Sequence, residues 1–368
     1  MAKSKKSKSI LTSESYTFLR NYINNPSPTG FESSGQKLWL DYLKPYVDTH
    51  FTDPYGSAVG VINPDAPFKV VIEAHADEIS WFVNYISPDG LIYLKRNGGV
   101  DHQIAPAKRV LIHGKKGAIK AVFGWPAIHT RLNNNEGKET QPKVENLFLD
   151  CGARNKKEVE ALGIHIGAVA TYEEGYEVLA YDYLIGRAFD NRVGGFMIAE
   201  VAKLIKANKK KLPFGLYIVN AVQEEIGLRG AEMIARRIKP NIAIITDVTH
   251  DTTTPMINKI LQGECACGKG PALAYGPAVH NKLLDIVQVT AAKAKIPVQL
   301  LTVSRSTGTD TDSFAYANDG CPSVLISIPL RYMHTTVEML HKDDIENTIK
   351  LIYETLLALS PKTNLSYF

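Results

Sequence analysis

Residues Pro213–Glu225 read PFGLYIVNAVQEE. The apolar run is of the kind that builds a strand buried on both faces, yet it ends in two adjacent carboxylates, Glu224 and Glu225. An ionised carboxylate is costly to bury unless it is paired or bound to a metal. Helical patterns flank the run: DNRVGGFMIAEVAKLIKAN (190–208) before it and LRGAEMIARRIK (228–239) after it. NIAIITDV (241–248) is the next strand, and PAVHNKLLDIVQVTAAKA (277–294) is a helix opened by Pro277. VQLLTVS (298–304) and PSVLISI (322–328) are strands, and DDIENTIKLIYETLLAL (343–359) is a closing helix. This alternation predicts an α/β fold, a mostly parallel sheet sandwiched by helices.

Nearer the N-terminus, SESYTFLRNYINN (13–25) and ESSGQKLWLDYLKPY (32–46) are helix candidates, and KVVIEAHADEISWFV (69–83) begins as a buried strand. From Asn84 to Glu177 the texture changes. Turn signals (SPDG, GKKG, FGWP) separate short strands (LIYL, RVLIH, AIKAVF), and NKKEVEALG reads as a short helix closed by Gly163. The expected organisation is therefore a basic tail over 1–10, a catalytic α/β domain from 11–83 and 178–368, and a small β-rich insertion over 84–177.

The 368 residues exceed the ~150 expected of one domain. Apolar residues make up 45% and charged residues 22%, the balance of a globular enzyme. The formal charge of +4 comes from the opening MAKSKKSK; without its four lysines, 38 basic residues face 38 acidic ones. The excess is a solvated tail, so no nucleic-acid partner is expected. No run approaches the ~20 apolar residues of a membrane helix, and no signal-peptide pattern is present; a cytoplasmic location is expected. The cysteines, Cys151, Cys265, Cys267 and Cys321, form no zinc-site spacing and read as small packed residues.

In open α/β sheets, ligands bind beyond the carboxyl ends of the strands. His75 and Asp77 follow the first long strand, Glu224 and Glu225 follow the strand quoted above, and Asp247 and His250 close NIAIITDVTH. His334 follows the last strand, and Asp190 stands where a long helix begins. Each has an ordinary explanation: Asp190 suits a helix N-cap, Asp247 a turn, His334 a satisfied core histidine. Five segments all ending in metal-type ligands is harder to explain that way. Two imidazoles and several carboxylates without Cys suit Zn, Co or Mn. The number of ligands exceeds one tetrahedral ion and fits two ions about 3.5–4 Å apart with a bridging carboxylate.

The motifs HADEIS, GRAFDNRVGG, VQEEIGLRGA, TDVTH, GKGPAL, GTDTDSF and IPLRYMHTTVEML occur in this order across nearly the whole chain. In them the chain resembles the tetrahedral (TET) aminopeptidases, dinuclear metallopeptidases that include glutamyl and deblocking aminopeptidases, some members of which are labelled endoglucanases. The resemblance implies a fold of the phosphorylase/hydrolase-like, zinc-peptidase type. It implies removal of N-terminal residues from peptides by a metal-activated bridging water. His75 and Asp247 would bind one metal, Glu225 and His334 the other, and Asp190 both. Glu224 would be the general base, with Asp77 orienting His75. The implied cofactors are two divalent ions per subunit, Zn first, then Co or Mn. The implied partners are peptides with free N-termini and further copies of the chain. The insertion would dimerise, and dimers would assemble into a hollow dodecamer. The loop SRSTGTDTDSF, with Thr309 and Asp310, is expected to line the substrate pocket, and Asn133 to Lys138 is a candidate pore or lid element. Ala76 stands where the family commonly has Met, and Lys269 where it often has Asn; neither removes a ligand. A related di-metal carboxypeptidase or deacylase would share the core but not VQEEIGLRGA and RYMHTT. A two-carboxylate glycosidase leaves His75, His334 and Asp247 unexplained. An inactive scaffold would have lost ligands, and none is lost.

Overall fold

The computed structural model describes residues 9–131 and 141–368. Residues 1–8 of the basic tail and the Asn133–Lys138 loop lie outside the described residues. Ordered contacts begin before the expected boundary at residue 11: Ser9 donates to Glu346, and the Ile10 N–H reaches the same carboxylate at 3.4 Å.

Helices α1 (Ser13–Asn24) and α2 (Ser33–Leu43) lead into strands β1 (Thr49–Thr52), β2 (Ala58–Ile62) and β3 (Lys69–His75). A reciprocal capping box starts α1, Thr12 accepting from the Ser15 N–H and Ser15 from the Thr12 N–H. The chain then builds a closed six-stranded barrel from β4 (Ser80–Ile86), β5 (Ile92–Asn97), β6 (Arg109–Gly114), β7 (Gly117–Gly124), β8 (Phe148–Asp150) and β9 (Val169–Tyr172). Two short helices belong to this stretch, α3 (Ile128–Arg131) and α4 (Lys156–Ala161). Closure removes sheet edges, and the barrel fills its interior with its own core around Trp81, Ile112, Phe123 and Leu149.

After β10 (Glu177–Val178) and β11 (Tyr183–Gly186) come α5 (Phe189–Ala207), β12 (Gly215–Ala221), α6 (Arg229–Ile238) and β13 (Ile242–His250). They are followed by α7 (Lys259–Gln262), β14 (Ala272–Tyr275), α8 (Asn281–Ala294), β15 (Gln299–Thr302) and α9 (Thr311–Ala315). The chain closes with β16 (Ser323–Leu330), β17 (Glu338–His341) and α10 (Lys342–Ala358).

The main sheet has eight strands in the order β1-β2-β12-β3-β13-β16-β14-β15. Its four central strands, β12, β3, β13 and β16, are mutually parallel. The flanks depart from the mostly parallel sheet expected. β2 is antiparallel to both β1 and β12, and β14 is antiparallel to β16. The β1–β2 link is too short for a crossover, so those strands must form a hairpin. Helix α5 is buried on almost every side and packs on β3, β12 and β13; α10 packs beside it and on β16. The helix read as opening at Pro277 starts four residues later, because Gly276–Val279 forms a turn and His280 is extended.

The strand expected to run to Glu225 ends at Ala221. Gln223 turns left-handed at φ 59° and Glu224–Ile226 make one 3₁₀ turn. The two carboxylates are thus presented by a turn rather than by the alternation of a strand.

At the junction of sheet and barrel, Glu78 is 3% exposed and pairs with Arg187, 5% exposed, while fully buried Arg192 lies 3.6 Å from its other oxygen. The Ser27 N–H donates to Glu78 at 2.6 Å. Truncating one member of a buried ion pair leaves uncompensated charge. Glu78→Ala should therefore lose about 3–5 kcal/mol of unfolding free energy, read as a lower midpoint in urea denaturation. No helix among the described residues is long and apolar enough to cross a membrane. All four cysteines are free.

Candidate metal centre

The parallel order β12-β3-β13-β16 lines up the carboxyl ends of four strands. His75 is the last residue of β3, with Ala221 beside it on β12. Asp247 lies on β13 opposite Ser327 of β16. Glu224 and Glu225 follow β12, and His334 follows β16. Asp190 comes from the mouth of α5. Its backbone is extended (φ −72°, ψ 112°), but the capping is done by Asn191, whose side chain accepts the Gly194 N–H at 3.2 Å, while the Asp190 side chain points into the cluster.

Asp190 is the centre of this arrangement. Its Oδ1 lies 3.2 Å from His75 Nε2, and its Oδ2 lies 3.2 Å from His334 Nε2. His75 Nε2 is also 3.8 Å from Glu224 and 3.9 Å from Asp247. His334 Nε2 is 3.4 Å from Glu225. Two groups therefore share Asp190, one with His75 and Asp247 and one with Glu225 and His334, the ligand atoms within each lying inside 4.8 Å. Glu224 forms a third group with His75 and Glu225.

A further layer of carboxylates holds the backbone of these segments. Asp77 accepts from the Glu224 N–H at 3.0 Å, the Glu225 N–H at 3.2 Å and the Thr29 hydroxyl at 2.9 Å. His75 Nδ1 is 3.3 Å from the same carboxylate, but it is not aligned for a hydrogen bond. Asp77 therefore fixes the Glu224–Glu225 turn at least as firmly as it orients His75. Glu338, 2% exposed, accepts from the Asp190 N–H at 3.1 Å and the His334 N–H at 2.9 Å, tying two remote segments together. Glu32 accepts from Gly30 at 2.7 Å and Gln223 at 3.2 Å. Sequence reading missed Glu338 and Glu32, since neither ends a strand. Gly99 leaves room for His334: a Cβ there would lie 2.9 Å from the imidazole.

The electrostatics show what the cluster lacks. Burial pushes the Glu224 carboxyl up to about 10; the charge of His75 opposes the shift, while Asp310, Asp247 and Glu225 add to it. Burial likewise raises Asp247 to about 7 and raises Glu225. Asp190 is held well below the usual carboxylate range because, against burial, it accepts hydrogen bonds from His334 and His75. Those carboxylates raise both imidazoles despite burial, His334 to about 12. Among the described residues no Lys or Arg lines the cavity, so two imidazoles face four cluster carboxylates. Such a donor set of oxygens and imidazole nitrogens fits divalent cations.

The cavity above the cluster measures about 680 Å³. Thr309 lines it, but Asp310 does not. Asp310 is 1% exposed and lies near Glu73, fully buried on β3, with no hydrogen-bond partner among the described residues for any carboxylate oxygen of either residue. Burial and the Glu73 charge push Asp310 well up, and burial pushes Glu73 to about 8. Two buried carboxyls of like charge each disfavour the other's ionisation. The pocket role expected of Asp310 is thus corrected: as the residue preceding α9, it turns its side chain inward.

The profile of the M42 glutamyl aminopeptidases matches residues 56–351. The chain belongs to the M42 family. It is therefore a peptidase, a hydrolase related to aminopeptidases. A lysyl aminopeptidase of Pyrococcus furiosus is 31% identical over 94% of this chain and 98% of its own length. The TET aminopeptidase of the marine sediment archaeon Thaumarchaeota archaeon SCGC AB-539-E09 superposes with a TM-score of 0.90 at 29% identity, covering 95% of this chain and 97% of the other. The TET1 peptidase of Pyrococcus horikoshii, which can assemble into a tetrahedron or a large octahedral shell, shares the fold with a TM-score of 0.83 at 24% identity, covering 94% of this chain and 100% of its own.

Glu338→Ala would leave the Asp190 and His334 N–H groups without their acceptor. Removing such supporting partners typically weakens metal affinity about 10–100-fold. Zinc titration of the variant, followed by equilibrium dialysis and elemental analysis, should show that loss, with the melting temperature reported alongside to separate it from global unfolding.

Proposed function

We propose that this chain is a di-metal aminopeptidase that hydrolyses N-terminal residues from peptides, with Glu224 as general base. The observation that carries the reading is the division of the Asp190 carboxylate between two imidazoles, each backed by a further carboxylate. His75 and Asp247 would hold one ion, Glu225 and His334 the other, and Asp190 both. Two divalent ions, Zn first, then Co or Mn, would supply Lewis-acid polarisation of the scissile carbonyl and lower the pKa of the attacking water.

The chain's own residues supply the rest. Glu224 borders the cavity, where its carboxylate takes a proton from the water as the C–O bond forms. The same proton passes to the departing amine as the C–N bond breaks. Asp77 fixes the turn that carries Glu224 and Glu225 by accepting both backbone N–H groups. The substrate's free α-amine would sit against a metal and nearby carboxylates, which selects peptide termini.

The barrel is proposed as the dimerisation element. It exposes Tyr85 and Ile166 to solvent at 52% and 57%, and dimers would assemble further into a dodecamer. A cytoplasmic location fits the proposal. Light scattering at micromolar concentration should give a mass of two or twelve subunits; a monomer would defeat the assembly reading.

Glu224→Gln tests the base. It should retain two metals per chain by elemental analysis while hydrolysis of aminoacyl-anilides falls about 10²–10⁴-fold. Near-normal turnover would refute the assignment.

A further inference from the structure

Beyond the cluster, the cavity is walled by the ends of β14, β15 and β16 and by the loop leading into α9. Leu301, Val303, Leu325 and Met333 supply an apolar lining. Away from the candidate ligands and Glu224, Asp312 is the one carboxylate among the described lining residues, and none of them is Lys or Arg. His250 also lines the cavity, with its side chain exposed. Asp312 lies in the first turn of α9, half-buried, and its two oxygens receive the Thr307 N–H at 2.9 and 3.2 Å. A carboxylate has about four acceptor sites, so one shared N–H leaves it able to bind a further cation. The loop fixes its position and the half-burial limits its screening by water.

We propose that the cavity takes the side chain of the substrate's first residue and selects a cationic one, Lys or Arg, with Asp312 as the residue that sets the sign. The inference rests on the aminopeptidase reading above. Lys and Arg carry an apolar stem and a charged tip, and the cavity presents the same two textures: aliphatic walls, then a carboxylate. An uncharged side chain of equal length gains the walls but no ion pair. An acidic side chain would lose water, find no Lys or Arg among the described residues of the wall, and face Asp312. Rejection by an unpaired like charge discriminates as effectively as attraction.

The test compares p-nitroanilides of L-lysine, L-norleucine and L-glutamate on the metal-supplied enzyme, norleucine serving as the uncharged counterpart of lysine. The wild type should show kcat/KM for lysine roughly fivefold or more above norleucine, the size expected of a partly screened ion pair, and glutamate below both. Asp312→Asn keeps an acceptor for the Thr307 N–H and should bring the lysine-to-norleucine ratio close to one. Ser306→Lys leaves Asp312 in place, adds a cation to the same wall, and should lower that ratio while raising glutamate relative to norleucine. A wild-type preference for glutamate over norleucine, or a lysine-to-norleucine ratio unmoved by Asp312→Asn, overturns the proposal. Release of none of the three anilides would defeat the aminopeptidase reading itself. Calorimetry with lysinamide and norleucinamide then judges the cavity separately: tighter lysinamide binding that Asp312→Asn abolishes supports the assignment, and equal binding overturns it.

Discussion

The structure depends on one electrostatic constraint: carboxylates gathered at the ends of parallel strands, with too little fixed positive charge to balance them. Asp190 gives one oxygen to His75 and the other to His334. Glu224, Glu225 and Asp247 must then share the same two imidazoles, with no Lys or Arg among the described residues that line the site. In low dielectric such groups either take up protons or require cations. The raised values of Glu224 and Asp247 express the first outcome; bound divalent ions would supply the second. The parallel centre of the sheet brings the groups together, because it sends the ends of β12, β3, β13 and β16 to one edge.

Holding like charges together also constrains the backbone. Asp77, Glu338 and Glu32 do not bring charge to a ligand; they accept backbone N–H groups of the segments that carry the candidate ligands. Glu224, Glu225 and His334 come from turns after strands and Asp190 from the mouth of α5, where the backbone has donors that no ladder satisfies. Satisfying those donors with buried carboxylates locks the turns and leaves the site side chains free to face the cavity. The Glu78–Arg187–Arg192 group does comparable work one residue beyond Asp77, where the sheet gives way to the barrel.

Much of this was legible in the sequence. Buried strands read as apolar runs, and the residues following them included His75, Asp247, Glu225 and His334, which the fold does bring together with Asp190. What escaped the sequence depends on backbone direction and distant contacts. The left-handed turn at Gln223 ends β12 early, and an apolar pattern does not show it. The flanking antiparallel strands follow from pairing choices that periodicity leaves open. Glu338 and Asp190 are 148 residues apart in sequence, so the bond between them appears only once the chain is folded. Asp310 looked like a pocket residue because its loop lines the cavity, but the next turn directs it towards Glu73.

The central claim is that Asp190 bridges two cations, and anomalous diffraction from crystals soaked in cobalt or zinc tests it most directly. The account predicts two peaks per chain, one between His75 and Asp247 and one between Glu225 and His334, with an Asp190 oxygen on each. A single peak, or two peaks of which only one touches Asp190, would contradict it.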